Sequence, residues 1–190
     1  MSYEIQARVG ITVGRFQVAH LTEAHKALID TMLNENHYTV VLIGVRPFDK
    51  QDKRNPLTYE MRRNMILEEF SKIPVGRKLI IMPFEDKDFF PLWVKELDVA
   101  VSSIVQMLES KVYEHFVPYL YGGRDSFLDG YIKYSNFYNI INLQERESFQ
   151  LLAEKQISGT KQREEIAKSI PTENGEKFRE GIIYQIMNQK

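Results

Sequence analysis

The chain has 190 residues, 43% of them apolar and 12% aromatic, enough for one domain, or at most two small ones, with a real core and too few for an enzyme of several complete domains. Lys and Arg number 25 against 26 Asp and Glu, a net charge of −1, so nothing draws the whole molecule to nucleic acid or anionic lipid and any anion site must be local. Cysteine is absent, which excludes disulfides, Cys-based zinc or iron–sulfur sites and a thiol nucleophile. The chain starts Met-Ser-Tyr-Glu-Ile-Gln, without a basic n-region and apolar stretch, and no run approaches the roughly 18 apolar residues of a membrane span. A cytoplasmic protein with no membrane or nucleic-acid partner is expected.

Strand and helix signals alternate along the sequence. Ala7 to Val13, ARVGITV, is a short β-branched run ended by Gly14, the pattern of a strand buried on both faces. Thr22 to Leu33 follows as a helix, with a capping Thr and Ala24, Leu28 and Met32 in one stripe. YTVVLIGV, Tyr38 to Val45, predicts a second buried strand, followed by the charged, proline-bearing loop RPFDKQDKRNP, a type of segment that tends to carry function. A helix beginning near Thr58 (Leu57, Met61, Met65, Ile66, Phe70), a strand over Lys78–Met82 and a helix over Phe90–Leu108 come next. Phe116–Tyr121 and Phe137–Leu143 are the last two strands, Pro118 marking a strand beginning or a bulge. Lys161–Ser169 reads as a shorter helix, and Phe178, Ile182 and Ile186 place a final stripe in a helix of about 176–188. This order predicts an open, mostly parallel α/β sheet with helices on both faces and ligands at the carboxyl ends of the strands.

Three loops carry chemistry. Gly14-Arg15-Phe16-Gln17 leads from the first strand to Thr22-Glu23-Ala24-His25, where the helix start offers N–H groups and a positive dipole to a phosphate and Gly14 permits close approach. Thr22 and His25, three positions apart, point the same way; His20 and His25, five apart, are turned about 500° and diverge. The second loop, Ile157-Ser158-Gly159-Thr160-Lys161-Gln162-Arg163, sets a capping Thr160 one turn before Arg163, whose planar fork suits phosphate oxygens. The third, Tyr121-Gly122-Gly123-Arg124-Asp125-Ser126, follows the fourth strand with paired glycines that admit a flat base or a tight turn.

GRFQ after the first strand, T-x-x-H opening a helix and S-G-T-x-x-R opening a late helix together resemble the HxGH nucleotidyltransferases. With Arg54-Asn55-Pro56-Leu57-Thr58, Met61-Arg62, the stretch from Asp86 to Trp93 and GGRDSF, the chain is most similar to the nicotinamide-nucleotide adenylyltransferases of the type found fused to Nudix domains. The motifs run from residue 9 to 165, and their order is more specific than any one of them. Thr22 and Ala24 stand where the fingerprint has its first His and its Gly, and Thr58-Tyr59-Glu60-Met61-Arg62 stands where T-x-x-E-R is common. The resemblance implies a Rossmann-like single domain over 1–190, with its core in 7–170, that transfers AMP from ATP to nicotinamide mononucleotide and releases pyrophosphate by direct attack.

The same resemblance implies roles. Thr22, His25 and Arg163 would serve catalysis, and Gly14, Arg15, Phe16, Gln17, Gly122, Asp125, Ser158 and Thr160 would bind ATP. Arg46, Asn55, Arg62 and Trp93 would take the acceptor, Trp93 by stacking on the nicotinamide ring. Mg²⁺ would be held mainly by ATP phosphates, without a dedicated metal site, and homo-oligomers are a feature of the family. Residues 46–63 hold six basic positions (46, 50, 53, 54, 62, 63) against three acidic ones (49, 52, 60), a local +3. No P-loop G-x-x-x-x-G-K-[ST], dinucleotide G-x-G-x-x-G or Nudix box occurs. Alternatives are a transferase acting on pantetheine phosphate or glycerol phosphate, and a non-catalytic nucleotide sensor.

Overall fold

A computed structural model of the chain describes residues 7–49, 55–112, 115–123, 127–136 and 138–154, with the side chains of Asp49 and of 151–154 left aside. Five parallel strands form one sheet in the order β3-β2-β1-β4-β5. They are β1 (Ala7–Gly14), β2 (Tyr38–Val45), β3 (Lys78–Glu85), β4 (Phe116–Gly122) and β5 (Asn139–Asn142). Between and after them run α1 (Glu23–Glu35), α2 (Tyr59–Glu69), α3 (Phe90–Val112), the single turn α4 (Leu128–Tyr131) and α5 (Glu147–Glu154). The expected open parallel α/β sheet is what forms. The two late helices expected over 161–169 and 176–188 lie outside the described residues.

The central strands show why the sheet is covered on both sides. Val40, Val41, Leu42 and Ile43 are all buried, and because successive side chains alternate faces, Val40 and Leu42 join one core while Val41 and Ile43 join the other. On one face α1 and α2 bring Ile29, Leu33, Met65, Ile66 and Phe70. On the other, α3 brings Trp93, Val94, Leu97, Val101, Ile104 and Leu108. Topology explains the division. The chain steps outward from β1 to β2 to β3 and then returns past β1 to β4, so crossovers of one hand must lie on opposite faces.

Two strands differ from expectation at prolines. β3 continues through Pro83 to Glu85, because it is an edge strand and a missing N–H on its outer side breaks no ladder. Pro118 sits inside β4 opposite Val9, but β5 pairs only from Tyr119 onward, so β4 is locally an edge there too.

A polar network joins the end of α1 to β4 and to Arg146 just ahead of α5. The Tyr121 hydroxyl donates to Glu35 Oε2 at 2.9 Å and accepts from Asn36 Nδ2 at 3.0 Å, and Arg146 grips the Glu35 carboxylate through both terminal nitrogens at 2.5 and 3.3 Å. Burial pushes the Tyr121 phenol up to about 12, the hydrogen bond from Asn36 working against it and the one to Glu35 with it. For Glu35, burial opposes ionisation, yet the hydrogen bonds from Arg146 and Tyr121 prevail and hold the carboxyl below the usual range. A carboxyl lowered in the folded state stabilises above its unfolded pKa and loses that contribution as pH falls through the folded one. Arg146→Met is therefore expected to lower the urea midpoint near neutral pH and to narrow the gap between neutral pH and about pH 3. Because Arg146 is 41% exposed, the effect should be modest; an unaltered gap would mean the pair does not set the acid response.

Candidate active site

The reversal of strand order falls at β1, between β2 and β4. In an open parallel sheet this is where the carboxyl-end loops part and leave a crevice. The loop after β1 and the first turn of α1 follow the carboxyl end of β1, and Gly123 follows that of the neighbouring β4.

Thr22 caps α1 with extended backbone, φ −71° and ψ 158°. Its Oγ1 accepts from the His25 backbone N–H at 3.3 Å, and the Thr22 backbone N–H donates to His25 Nδ1 at 3.3 Å. This is a reciprocal capping box in which imidazole takes the place usually filled by Glu or Gln. The two side chains also meet directly, Oγ1 to Nδ1 at 3.0 Å, as their spacing predicts. A backbone N–H can only donate, so Nδ1 is an acceptor and the ring proton of neutral His25 resides on Nε2. The box thereby fixes a tautomer as well as a rotamer. His20 lies in the loop before α1 and is exposed.

Phe16 supports that imidazole from behind. It adopts a left-handed φ of 49°, is 4% exposed, and sets its ring centroid 5.1 Å from that of His25. Gly14 makes this possible, since a Cβ there would strike the Phe16 ring at 2.8 Å. Close approach at Gly14 thus serves the loop's own aromatic ring. Ala24 turns its methyl toward the cluster of Leu28, Met32, Tyr121, Leu143 and Phe149.

Several polar residues of the site motifs turn inward as struts. Gln17, 3% exposed, donates from Nε2 to the Leu57 carbonyl at 3.1 Å and accepts the Leu57 N–H at Oε1 at 2.9 Å, clasping the loop after β1 to the approach of α2. Arg62 is 1% exposed and donates to the carbonyls of Arg15 and Gly44, both at 2.7 Å, and of Thr58 at 3.1 Å. The structure therefore places Arg62 beneath the loops, where it fixes the carboxyl ends of β1 and β2 relative to α2. Trp93 is likewise interior: 7% exposed, it stacks on Phe90 at 5.4 Å and meets Phe84 and Phe127 edge-on at 5.5 and 5.4 Å.

Other residues keep an outward position. Arg15, 59% exposed, pairs with Asp86 just past β3 at 3.0 Å, and a Cβ on Gly44 would meet that carboxylate at 3.0 Å. Arg46 is 43% exposed and faces Asp88 at 3.9 Å. Asn55 is half-buried just ahead of α2. Gly122 closes β4 opposite Asn142, and Gly123 gives way to the Phe149 ring, which an added Cβ would strike at 2.8 Å. Asp125, Ser158, Thr160 and Arg163 lie outside the described residues. Among the described residues no group of three or more His, Cys, Asp or Glu is placed to hold a metal ion, and no helix is long and apolar enough to cross a membrane.

Against solved structures, the chain aligns over 97% of its length with a bifunctional NMN adenylyltransferase/ADP ribose pyrophosphatase of Francisella tularensis, at TM-score 0.66 and 18% identity. The same protein complexed with AMP and a Mn ion gives TM-score 0.63. The chain shares its fold with part of this protein. It spans 50% and 51% of those two chains. A NadR protein in complex with NR aligns over 78% of this chain and 39% of its own, at 14% identity and TM-score 0.50. No family model matches the sequence, and no curated protein matches it. At 14–18% identity the likeness is one of fold, the open parallel α/β sheet with its helices.

Proposed function

We propose that this chain is an adenylyltransferase that moves AMP from ATP to nicotinamide mononucleotide, giving NAD and pyrophosphate. The observation that carries this reading is the Thr22–His25 box at the start of α1, set at the strand-order reversal in a fold shared with an NMN adenylyltransferase. The acceptor phosphate oxygen attacks the α-phosphorus of ATP; a new P–O bond forms as the bond from that phosphorus to the bridging oxygen of the β-phosphate breaks, and pyrophosphate leaves. Such a transfer needs alignment and charge neutralisation more than covalent help from the protein.

His25 supplies an Nε2–H donor to the charge that develops around the α-phosphorus, with its ring orientation set by Thr22 and Phe16. The α1 dipole adds a fixed positive end. Arg15 faces the phosphates, and Gly122 with Asp125 borders the adenosine. Arg163, Ser158 and Thr160 hold the β- and γ-phosphates. Arg46 and Asn55 take the acceptor phosphate, while Gln17 and Arg62 act through the loops they anchor. Mg²⁺ would be held mainly by the phosphates of ATP and would neutralise part of their charge.

A panel of phosphate acceptors assayed with ATP and Mg²⁺ for pyrophosphate release tests the choice of acceptor. Nicotinamide mononucleotide should be preferred. Preference for pantetheine phosphate or glycerol phosphate would reassign the acceptor, and ATP binding without turnover on any acceptor would make the chain a nucleotide sensor.

A further inference from the structure

Among the described residues two non-glycine positions have left-handed backbone, and both are phenylalanine: Phe16 at φ 49° and Phe48 at φ 59°. A bulky side chain in that region is strained, and such strain persists where something compensates it. For Phe16 the compensation is visible, since its ring is 4% exposed and packs beside His25. Phe48 has no such compensation among the described residues. It follows β2 with its ring wholly in solvent, at 103% of the reference exposure, so folding gains nothing from an aromatic there and glycine would suit the backbone better.

A second exposed ring stands on the neighbouring loop. Phe89, 67% exposed, immediately precedes α3, and its carbonyl accepts from Leu92 and Trp93. The two loops are joined twice: the Asp86 N–H donates to the Val45 carbonyl at 2.8 Å, and Arg46 faces Asp88 at 3.9 Å. The Arg46–Asp88 contact lies two residues before Phe48 and one before Phe89. It is loose, Asp88 being fully exposed, and leaves Arg46 able to exchange a carboxylate for a phosphate. Two joined loops at the carboxyl edge of the sheet that carry two exposed rings and an exchangeable guanidinium complement a ligand with a flat ring and an anionic group. Trp93 offers no such surface, because Phe90 stacks on it and Phe84 and Phe127 close its edges.

We propose that Phe48 and Phe89 receive the planar ring of the acceptor substrate, with Arg46 on its phosphate, so that this pair of loops selects heteroaromatic nucleotides over ring-less phosphates. The proposal rests on the adenylyl-transfer reading. Its test uses the whole chain, with nicotinamide mononucleotide and pantetheine phosphate as probes, in parallel turnover and equilibrium-dialysis measurements. In a Phe48→Ala/Phe89→Ala double variant the KM for nicotinamide mononucleotide should rise about tenfold or more, with kcat and the KM for ATP unchanged. Phe48→Leu should lose the same affinity and Phe48→Tyr keep it, and none of these variants should melt below the parent. Phe48→Gly should melt slightly higher while binding the acceptor less well, as expected where strain is retained for ligand.

A double variant with the parent's KM overturns the proposal. Turnover of pantetheine phosphate in preference to any ring-bearing acceptor overturns it too, while leaving nucleotidyl transfer intact. If the parent binds nicotinamide mononucleotide in dialysis without turning it over, and the double variant does not bind it, the subsite stands and the transferase reading fails. A parent that binds neither probe overturns both.

Discussion

Replacing His25 by alanine is expected to lower adenylyl transfer by about 10²–10³-fold, the usual loss when one pre-aligned donor to a developing oxyanion is removed. The folded state should lose only about 1 kcal/mol, because what disappears from the scaffold is half of a capping box and one ring contact. The two magnitudes separate chemistry from structure. His25→Gln makes the distinction finer: its amide oxygen can accept from the Thr22 N–H and complete the box, as Gln does elsewhere, without placing a ring N–H toward the α-phosphate. That variant should regain the parent's melting temperature and remain slow. Steady-state pyrophosphate release and thermal melting on the same preparations give both readings; full turnover by either variant would remove His25 from the chemistry.

Trp93→Ala is expected to cost about 3–5 kcal/mol of stability, the range for truncating a large buried aromatic. The ring is 7% exposed and has aromatic neighbours at 5.4–5.5 Å on three sides, Phe90, Phe84 and Phe127, so alanine leaves a cavity lined by rigid rings that cannot collapse into it. For a chain of this size the loss corresponds to a fall in Tm on the order of 10 °C. Trp93→Phe, which keeps the stacked face, should fall much less. Melting curves with calorimetry decide the matter. An alanine variant that melts with the parent and binds the acceptor poorly would put the indole on the site's surface and return it to the ring-stacking role its sequence position suggests.

How far the sequence revealed this molecule varied with the kind of interaction. The strands were plain wherever both faces are buried, as in β1 and β2, because a run of β-branched residues admits few other solutions. Proline blurred β3 and β4, since whether it breaks a ladder depends on strand order, which no local pattern contains. The turn α4 has four residues, too few for a helical period to register in the sequence.

At the site, the Thr22–His25 pair was legible because helical geometry alone brings residues three apart together. Arg62 and Gln17 were not. A guanidinium fork or a primary amide satisfies backbone groups as readily as a ligand, and here the Arg15, Gly44 and Leu57 groups that claim them come from distant parts of the chain. Phe48 was hidden for a related reason: its left-handed backbone follows from how the loop leaves β2, while the sequence shows only a phenylalanine among charges.

The most direct measurement is phosphorus NMR of the purified chain with ATP, nicotinamide mononucleotide and Mg²⁺. Adenylyl transfer at the Thr22–His25 site requires pyrophosphate and a dinucleotide diphosphate resonance to grow together in equal amounts, and both to be suppressed in His25→Ala. An ATP spectrum that stays unchanged with bound nucleotide present, or one that yields ADP and inorganic phosphate without dinucleotide, would contradict it.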